Sequence, residues 1–399
     1  MIGRLQRGGL RRPTAWLAAA ALVTLAGAPS AASAPRSRAV DYLHAPVTET
    51  QVLDWGHRPV WSPDGTKLAF LGLNHHFGAG FAYELDLATG AVRCLTCHVD
   101  NGEVLRIYYL PDGSFLTQAP ATPLYSATGI DTSVPEHFNC SILGKDHQTG
   151  LPTDAASQPF RCELYWLPAT LDSPPQPLGV HSFEEVAIAS DRLHISWVVP
   201  ASPATPEYQI WTGDLAHNGT GMELTNRRQV FRTFPDRATE PPAMGWAEVM
   251  DFFPGNDALL FYATVFGDDG GHSHAGDGEV FALDLATGTL TNHSKNPAHD
   301  EAHLFFPDAT FALNERDGGL WALQLDGTGQ NTREFARGIA AVSSPDGRRV
   351  AYNKTTTGAG GLWMAEFGCP GSRHPSGSSN SGQGDAKGCP RADRQAAPG

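Results

Sequence analysis

One short phrase recurs along this chain and constrains its fold more than any other feature. Trp61-Ser62-Pro63-Asp64-Gly65-Thr66-Lys67-Leu68-Ala69-Phe70 is echoed at Ser344-Pro345-Asp346-Gly347-Arg348-Arg349-Val350-Ala351-Tyr352. Weaker copies stand at Leu110-Pro111-Asp112-Gly113, Phe253-Pro254-Gly255-Asn256 and Phe306-Pro307-Asp308, and a degenerate one at Ala189-Ser190-Asp191. A second phrase, Leu85-Asp86-Leu87-Ala88-Thr89-Gly90, returns letter for letter at Leu283–Gly288, with a looser copy at Leu325-Asp326-Gly327. In Pro-Asp-Gly the proline fixes φ, the aspartate oxygen caps the turn and the glycine supplies a positive φ, so the phrase makes a tight hairpin. The residues that follow alternate with β periodicity. Each unit therefore reads strand, Pro-Asp-Gly turn, strand, loop, strand, Thr-Gly turn, strand. Four antiparallel strands, repeated, are the blade of a propeller.

Six units can be counted, at roughly 57–97, 98–179, 181–226, 246–293, 299–336 and 338–367. The expectation is an all-β, six-bladed β-propeller of four-stranded antiparallel blades, a seventh blade being the margin of the count. Blade two carries an insertion at 119–161, and residues 46–56 are placed to add a strand to the last blade and close the ring. Residues 368–399, rich in Gly, Ser and Pro, read as a disordered tail.

Composition agrees with a turn-rich globular chain. Of 399 residues, 41% are hydrophobic and only 18% charged, which excludes an intrinsically disordered protein. Arg4, Arg7, Arg11 and Arg12 precede an apolar stretch from Ala15 to Ala28 and a small-residue zone ending Ala32-Ser33-Ala34. That is the pattern of a cleaved export signal over 1–34, and its apolar stretch is too short to span a membrane. The expected address is secreted or periplasmic. Cleavage would leave 24 Lys and Arg against 42 acids, a net charge of −18. Such a surface argues against nucleic-acid and anionic-membrane partners. Six cysteines in an exported chain favour disulfides, and their order suggests Cys94 with Cys97, Cys140 with Cys162 and Cys369 with Cys389.

The Trp-Ser-Pro-Asp-Gly repeats resemble those of the PD40, TolB-like β-propellers. Three further stretches resemble one secreted branch of them: Cys94-Leu95-Thr96-Cys97, Glu248-Val249-Met250-Asp251-Phe252, and Asp300-Glu301 leading into Phe306-Pro307-Asp308. The resemblance spans about residues 55–367. It implies a ring used elsewhere in periplasmic scaffolds, peptidase-associated domains and some polysaccharide lyases, so fold alone does not choose the function.

Cys94-Leu95-Thr96-Cys97-His98 also matches C-x-x-C-H, the attachment signature of c-type haem. The pair lies just after a Thr-Gly hairpin, with no helical context to build a haem pocket, and the similar branch carries the same Cys-Leu-Thr-Cys. A structural disulfide or a thiol pair is the expectation, not haem. Gly271-His272-Ser273-His274-Ala275 falls one glycine short of a nucleophile elbow, and neither a Walker loop nor H-E-x-x-H occurs.

Histidine carries the functional expectation. By blade topology the Pro-Asp-Gly and Thr-Gly turns lie on one face, and the second-to-third-strand loops and blade links on the other. Eleven of the sixteen histidines fall on that second face, including His75-His76 in blade one and His272 and His274 in blade four, opposite it in the ring. Ordinary loop polarity is the competing explanation. Six positions before each turn proline stand His57, Leu105, Glu184, Glu248, Glu301 and Ile339, on innermost strands, with Arg106 beside them. The expected ligand-binding set is His57, His75, His76, Arg106, Glu184, Glu248, His272, His274, Glu301 and His303. Within it His75, His272, His274, Glu248 and Glu301 would suit a divalent metal (Ca, Mn or Zn). The carboxylates could equally hold neighbouring blades in register. The first expectation is a binding or scaffold protein whose loop face takes a protein or saccharide. The alternative is a metal-assisted polysaccharide lyase or hydrolase at a His/Glu site.

Overall fold

A computed structural model describes residues 40–72, 80–99, 103–120, 125–126, 129–130, 162–202, 205–219, 221–233, 243–266, 278–296, 298–354 and 360–368. The described residues form six four-stranded antiparallel blades, with a short strand Glu103–Val104 paired to blade one and a two-stranded hairpin of Tyr125–Ser126 and Gly129–Ile130, and they include no helix. Blade one comprises His57–Trp61, Lys67–Leu71, Gly80–Asp86 and Val92–Cys94, and blade two Arg106–Tyr109, Phe115–Pro120, Cys162–Leu167 and Gln176–His181. Blade three holds Phe183–Ile188, His194–Ser202, Thr205–His217 and Met222–Arg232. Blade four holds Ala243–Phe252, Ala258–Phe266, Gly278–Asp284 and Leu290–Asn292, and blade five Glu301–Leu304, Phe311–Arg316, Gly319–Gln324 and Thr332–Arg337. Blade six is built from Ile339–Ser343, Arg349–Asn353 and Leu362–Phe367, and its outer strand is Val47–Leu53, paired antiparallel with Val47 opposite Phe367. The first described strand thus joins the last blade, and the sheet edge it would otherwise expose is paired.

The repeated phrases do the local work that their chemistry requires. Asp64 Oδ1 accepts hydrogen bonds from Ser62 Oγ (2.7 Å), the Thr66 amide (3.0 Å) and Thr66 Oγ1 (2.8 Å), while Gly65 sits at φ +68°. Asp346 repeats this with Ser344 Oγ and the Arg348 amide, around Gly347 at φ +68°. In the second phrase Asp86 and Asp284 each accept from the amides two and three residues on, ahead of Gly90 and Gly288 at φ +71° and +73°. Accepting these bonds holds Asp64, Asp86 and Asp284 below the usual carboxylate range.

Neighbouring blades are tied by polar contacts as well as by apolar packing. Tyr109 Oη donates to Glu84 between blades two and one, and Asn256 Nδ2 to Asp191 between four and three. The Leu304 amide donates to Asp251 between five and four, and the Ala341 amide to Glu315 between six and five. Between six and one, Trp61 Nε1 donates to the Val342 carbonyl, and Arg349 lies over the Trp61 ring at 4.6 Å while donating to the Gly65 carbonyl. Asn353 closes the same seam, accepting from the Arg58 amide at 2.8 Å and donating to the Gly56 carbonyl.

Candidate functional site

The innermost strands surround a cavity of about 320 Å³, the lower range of small-ligand sites. Its wall includes Val60, Ile107, Ile188, Leu304 and Val342 from the strands, and Pro63, Ser190, Arg192, Pro254, Pro307 and Pro345 from the turns. The cavity therefore reaches the turn face of the blades. Six side chains that carry charge interrupt a mostly apolar lining, Arg58, Arg106, Glu185, Arg192, Asp251 and His303, and Tyr108, Ser190 and Ser343 add hydroxyls.

Their placement depends on irregularities in the ladders. In blades one and six the pairing slips between His57 and Val60 and between Ile339 and Val342, and the extra residues Arg58 and Ala340 take left-handed φ values of +52° and +50°. In blade four the slip between Val249 and Asp251 brings both Met250 and Asp251 to the wall. Bulges of this kind re-aim side chains next to sites. The positions aligned from sequence miss the wall by one residue in three blades: on the bulges Arg58 lines it and not His57, and Ala340 and not Ile339, while in blade two, whose inner pairing does not slip, Arg106 lines it and not Leu105. In blade three Glu185 lines it, and the side chain of Glu184 lies outside the described residues. Arg106 was the available signal, since it stands five residues before its turn proline, the spacing shared by Arg58.

Arg106 Nε donates to Glu185 Oε1 at 2.5 Å, and Tyr108 Oη donates to Glu185 Oε2 at 2.8 Å. Burial pushes the Glu185 carboxyl upward, but the Arg106 and His303 charges and the hydrogen bonds from Tyr108 and Arg106 outweigh it and hold it below its ordinary range. His303 Nδ1 lies 3.2 Å from Asp251 Oδ2. Burial alone would lower the His303 pKa; the hydrogen bond to Asp251 and the charges of Asp251, Glu185 and Glu315 instead push it up to about 9. Arg192 has its pKa lowered by burial, partly offset by the Asp251 charge.

Of the other expected residues, His57 is largely buried beside the cavity. Burial and the Arg106 charge take its pKa down to about 4, so it is neutral. Glu248 is buried opposite Tyr262 and does not line the cavity. Glu301 lies opposite Glu315 in the blade-five ladder and 3.9 Å from His299. Burial and the Glu301 charge push Glu315 up to about 8. His75, His76, His272 and His274 lie outside the described residues. Among the described residues no three His, Cys, Asp or Glu side chains converge as a metal site would require, so Glu248 and Glu301 do not by themselves supply one. Cys94 and Cys97 are joined as a disulfide, with Cα atoms 5.7 Å apart, which commits both thiols that a haem thioether linkage would need. The proposed partners of Cys140 and Cys369 fall outside the described side chains.

These shifts fix the sign of one pH dependence. His303 binds its proton more tightly folded than unfolded, so its contribution is complete below about pH 6.5 and is lost as pH rises through about 9. Glu315 acts in the same direction through about pH 8. In denaturant titrations the His303 share alone is expected to lower stability by about 2–3 kcal/mol between pH 6.5 and 9.5, with Glu315 adding to the fall up to about pH 8. His303→Gln should make that limb shallower and leave the Glu315 share; a variant as steep as the wild type would refute the assignment.

No protein-family model matches this chain, and no curated protein sequence matches it. Solved structures similar to it include TolB from Acinetobacter baumannii, 14% identical with a TM-score of 0.39, matched over 81% of this chain and 55% of that one. An oligogalacturonate lyase in complex with manganese is 15% identical over 84% of this chain and 95% of its own, at a TM-score of 0.43. A gluconolactonase from Xanthomonas campestris is 11% identical over 84% and 95%, at 0.48. The chain spans 55% of the TolB chain. At these scores the fold assignment rests on the six four-stranded sheets themselves.

Proposed function

We propose that this protein is an exported binding module of the TolB-like kind, which takes part of a protein or saccharide ligand into its axial cavity at the turn face. One observation supports the reading above others. In a chain of net charge −14, the cavity wall sets three arginines and a protonated histidine against two carboxylates, leaving about two positive charges among apolar side chains. Buried charge in excess of its partners costs stability unless a ligand completes it. The rest of the surface repels anions, so the cavity is the place where one would be held.

The test is ligand capture on peptide and glycan arrays by the mature protein and by Ser190→Trp. Ser190 is an exposed turn residue at the cavity mouth, so an indole there should cover the opening while leaving the blades intact. Ligands retained by the wild type should be lost by Ser190→Trp at an unchanged melting temperature. Retention by both would overturn the reading.

A further inference from the structure

Arg192 occupies a position in the blade-three turn that blades one, two and six give to glycine, and that blades four and five give to the short side chains of Asn256 and Ala309, left-handed as well at φ +61° and +51°. Its amide donates to the Ala189 carbonyl at 2.8 Å, as the Gly65 amide does to Ser62 at 2.9 Å and the Gly347 amide to Ser344 at 2.8 Å. Its φ of +61° matches +68° at Gly65, +81° at Gly113 and +68° at Gly347. Left-handed backbone is disfavoured for a residue with a long side chain. The second cavity arginine without a carboxylate partner, Arg58, is left-handed too, on its bulge. Two strained backbones in two blades thus each present a guanidinium to one cavity, and strain of this kind collects at functional sites.

Neither guanidinium is neutralised in place. Arg58 Nη1 donates to the Leu105 carbonyl at 3.2 Å and meets no carboxylate among the described residues. Arg192 makes no side-chain hydrogen bond or ion pair there, and Asp251, the charge it feels, is already shared between His303 and the Leu304 amide. By contrast Arg106 is committed to Glu185. The carboxylates of Glu185 and Asp251 in the same wall would repel a dianion such as phosphate. The strand positions of the wall are mostly aliphatic (Val60, Ile107, Ile188, Leu304 and Val342), which favours an apolar body over a polyhydroxylated sugar. A single carboxylate on an apolar body fits both constraints, and a planar guanidinium suits a carboxylate well.

We propose that the cavity captures the C-terminal residue of a peptide chain, its carboxylate held by Arg58 and Arg192 and its apolar side chain against Val60, Ile188 and Val342. This rests on the binding role proposed for the cavity. Calorimetric titration of the mature protein would use a pool of N-acetylated hexapeptides with free carboxylate ends, varied over apolar residues at the last two positions. The same pool as C-terminal amides and a uronate disaccharide would be titrated alongside. The free acids are expected to bind at least about tenfold more tightly than the amides, and more weakly as salt is raised. Arg192→Gly should lose about tenfold or more of that affinity at an unchanged or raised melting temperature, because it restores the residue that the turn prefers. Arg58→Gln should lose a similar factor. Equal binding of acids and amides, an unaltered Arg192→Gly, preference for the uronate, or no saturable binding up to about 1 mM peptide would each overturn the proposal. Acids and amides that bind alike and are both lost in Ser190→Trp would overturn the carboxylate clamp and leave the cavity reading standing. Binding untouched by Ser190→Trp would remove both.

Discussion

Arg106→Met is expected to destabilise the protein by about 3–5 kcal/mol, because it leaves the Glu185 carboxylate buried and without its cation. Arg106 is 7% exposed, and its Nε–Glu185 contact of 2.5 Å joins blade two to blade three. The remaining partner of Glu185, Tyr108 Oη at 2.8 Å, also accepts from the Val186 amide at 3.1 Å. Tyr108 and the His303 charge compensate that buried carboxylate only in part. Urea titration of Arg106→Met, Glu185→Gln and the double variant would measure the effect. The double variant should recover at least about half of the loss, since no unpaired charge is then left inside. Arg106→Met should also gain stability relative to wild type as pH falls, because Glu185 without its cation binds a proton more readily in the folded state. A loss below about 1 kcal/mol for the single variant would mean that water reaches Glu185 and the seam is not closed.

Tyr42→Ala is expected to cost about 3–5 kcal/mol, the range for removing a large buried ring. Tyr42 is 2% exposed and stacks on Phe305 at 4.0 Å between ring centres, with Phe311 and Phe367 edge-on at 5.3 and 5.0 Å. Its hydroxyl donates to the carbonyl of Gly347, in the turn of blade six, at 2.8 Å. The ring thus fills the space between blades five and six just ahead of the strand Val47–Leu53, and the Arg333 side chain holds the same segment by donating to the Ala45 carbonyl at 2.6 Å. Tyr42→Phe, which keeps the ring and loses only the hydroxyl, should cost about 1 kcal/mol. Hydrogen exchange should show Val47–Leu53 losing protection first in Tyr42→Ala. Equal costs for the two substitutions would show that the ring packing contributes nothing beyond the hydrogen bond.

The blades were legible because their turns are made by neighbours in sequence. A proline, an acceptor aspartate and a positive-φ residue act within four positions, and the sequence shows all three at Pro63-Asp64-Gly65 and Pro345-Asp346-Gly347. Register along the inner strands was less legible. Counting back from the turn assumes an unbroken ladder, and the ladders of blades one, three, four and six each slip. A shift of one residue turns a strand side chain to its other face. That is why Arg58 lines the cavity where counting back from the turn points to His57, and in blade three Glu185 lines it. Arg192 was visible as an oddity, an arginine in a glycine's place after Ser190-Asp191, but the oddity acquires meaning only once the turn is seen to border the cavity.

The sequence by itself determined the strand content, the hairpins and the number of blades, since each of these follows from contacts among residues close together in the chain. Only the tertiary structure decided which charges meet. Arg58, Arg106, Glu185, Arg192, Asp251 and His303 come from five different blades, and closing the ring carries them to one axis. Whether a given charge there is paired or left for a ligand depends on bulges and burial that no local pattern encodes. Arg106 finds Glu185 and His303 finds Asp251, while Arg58 and Arg192 find no carboxylate to pair with among the described residues.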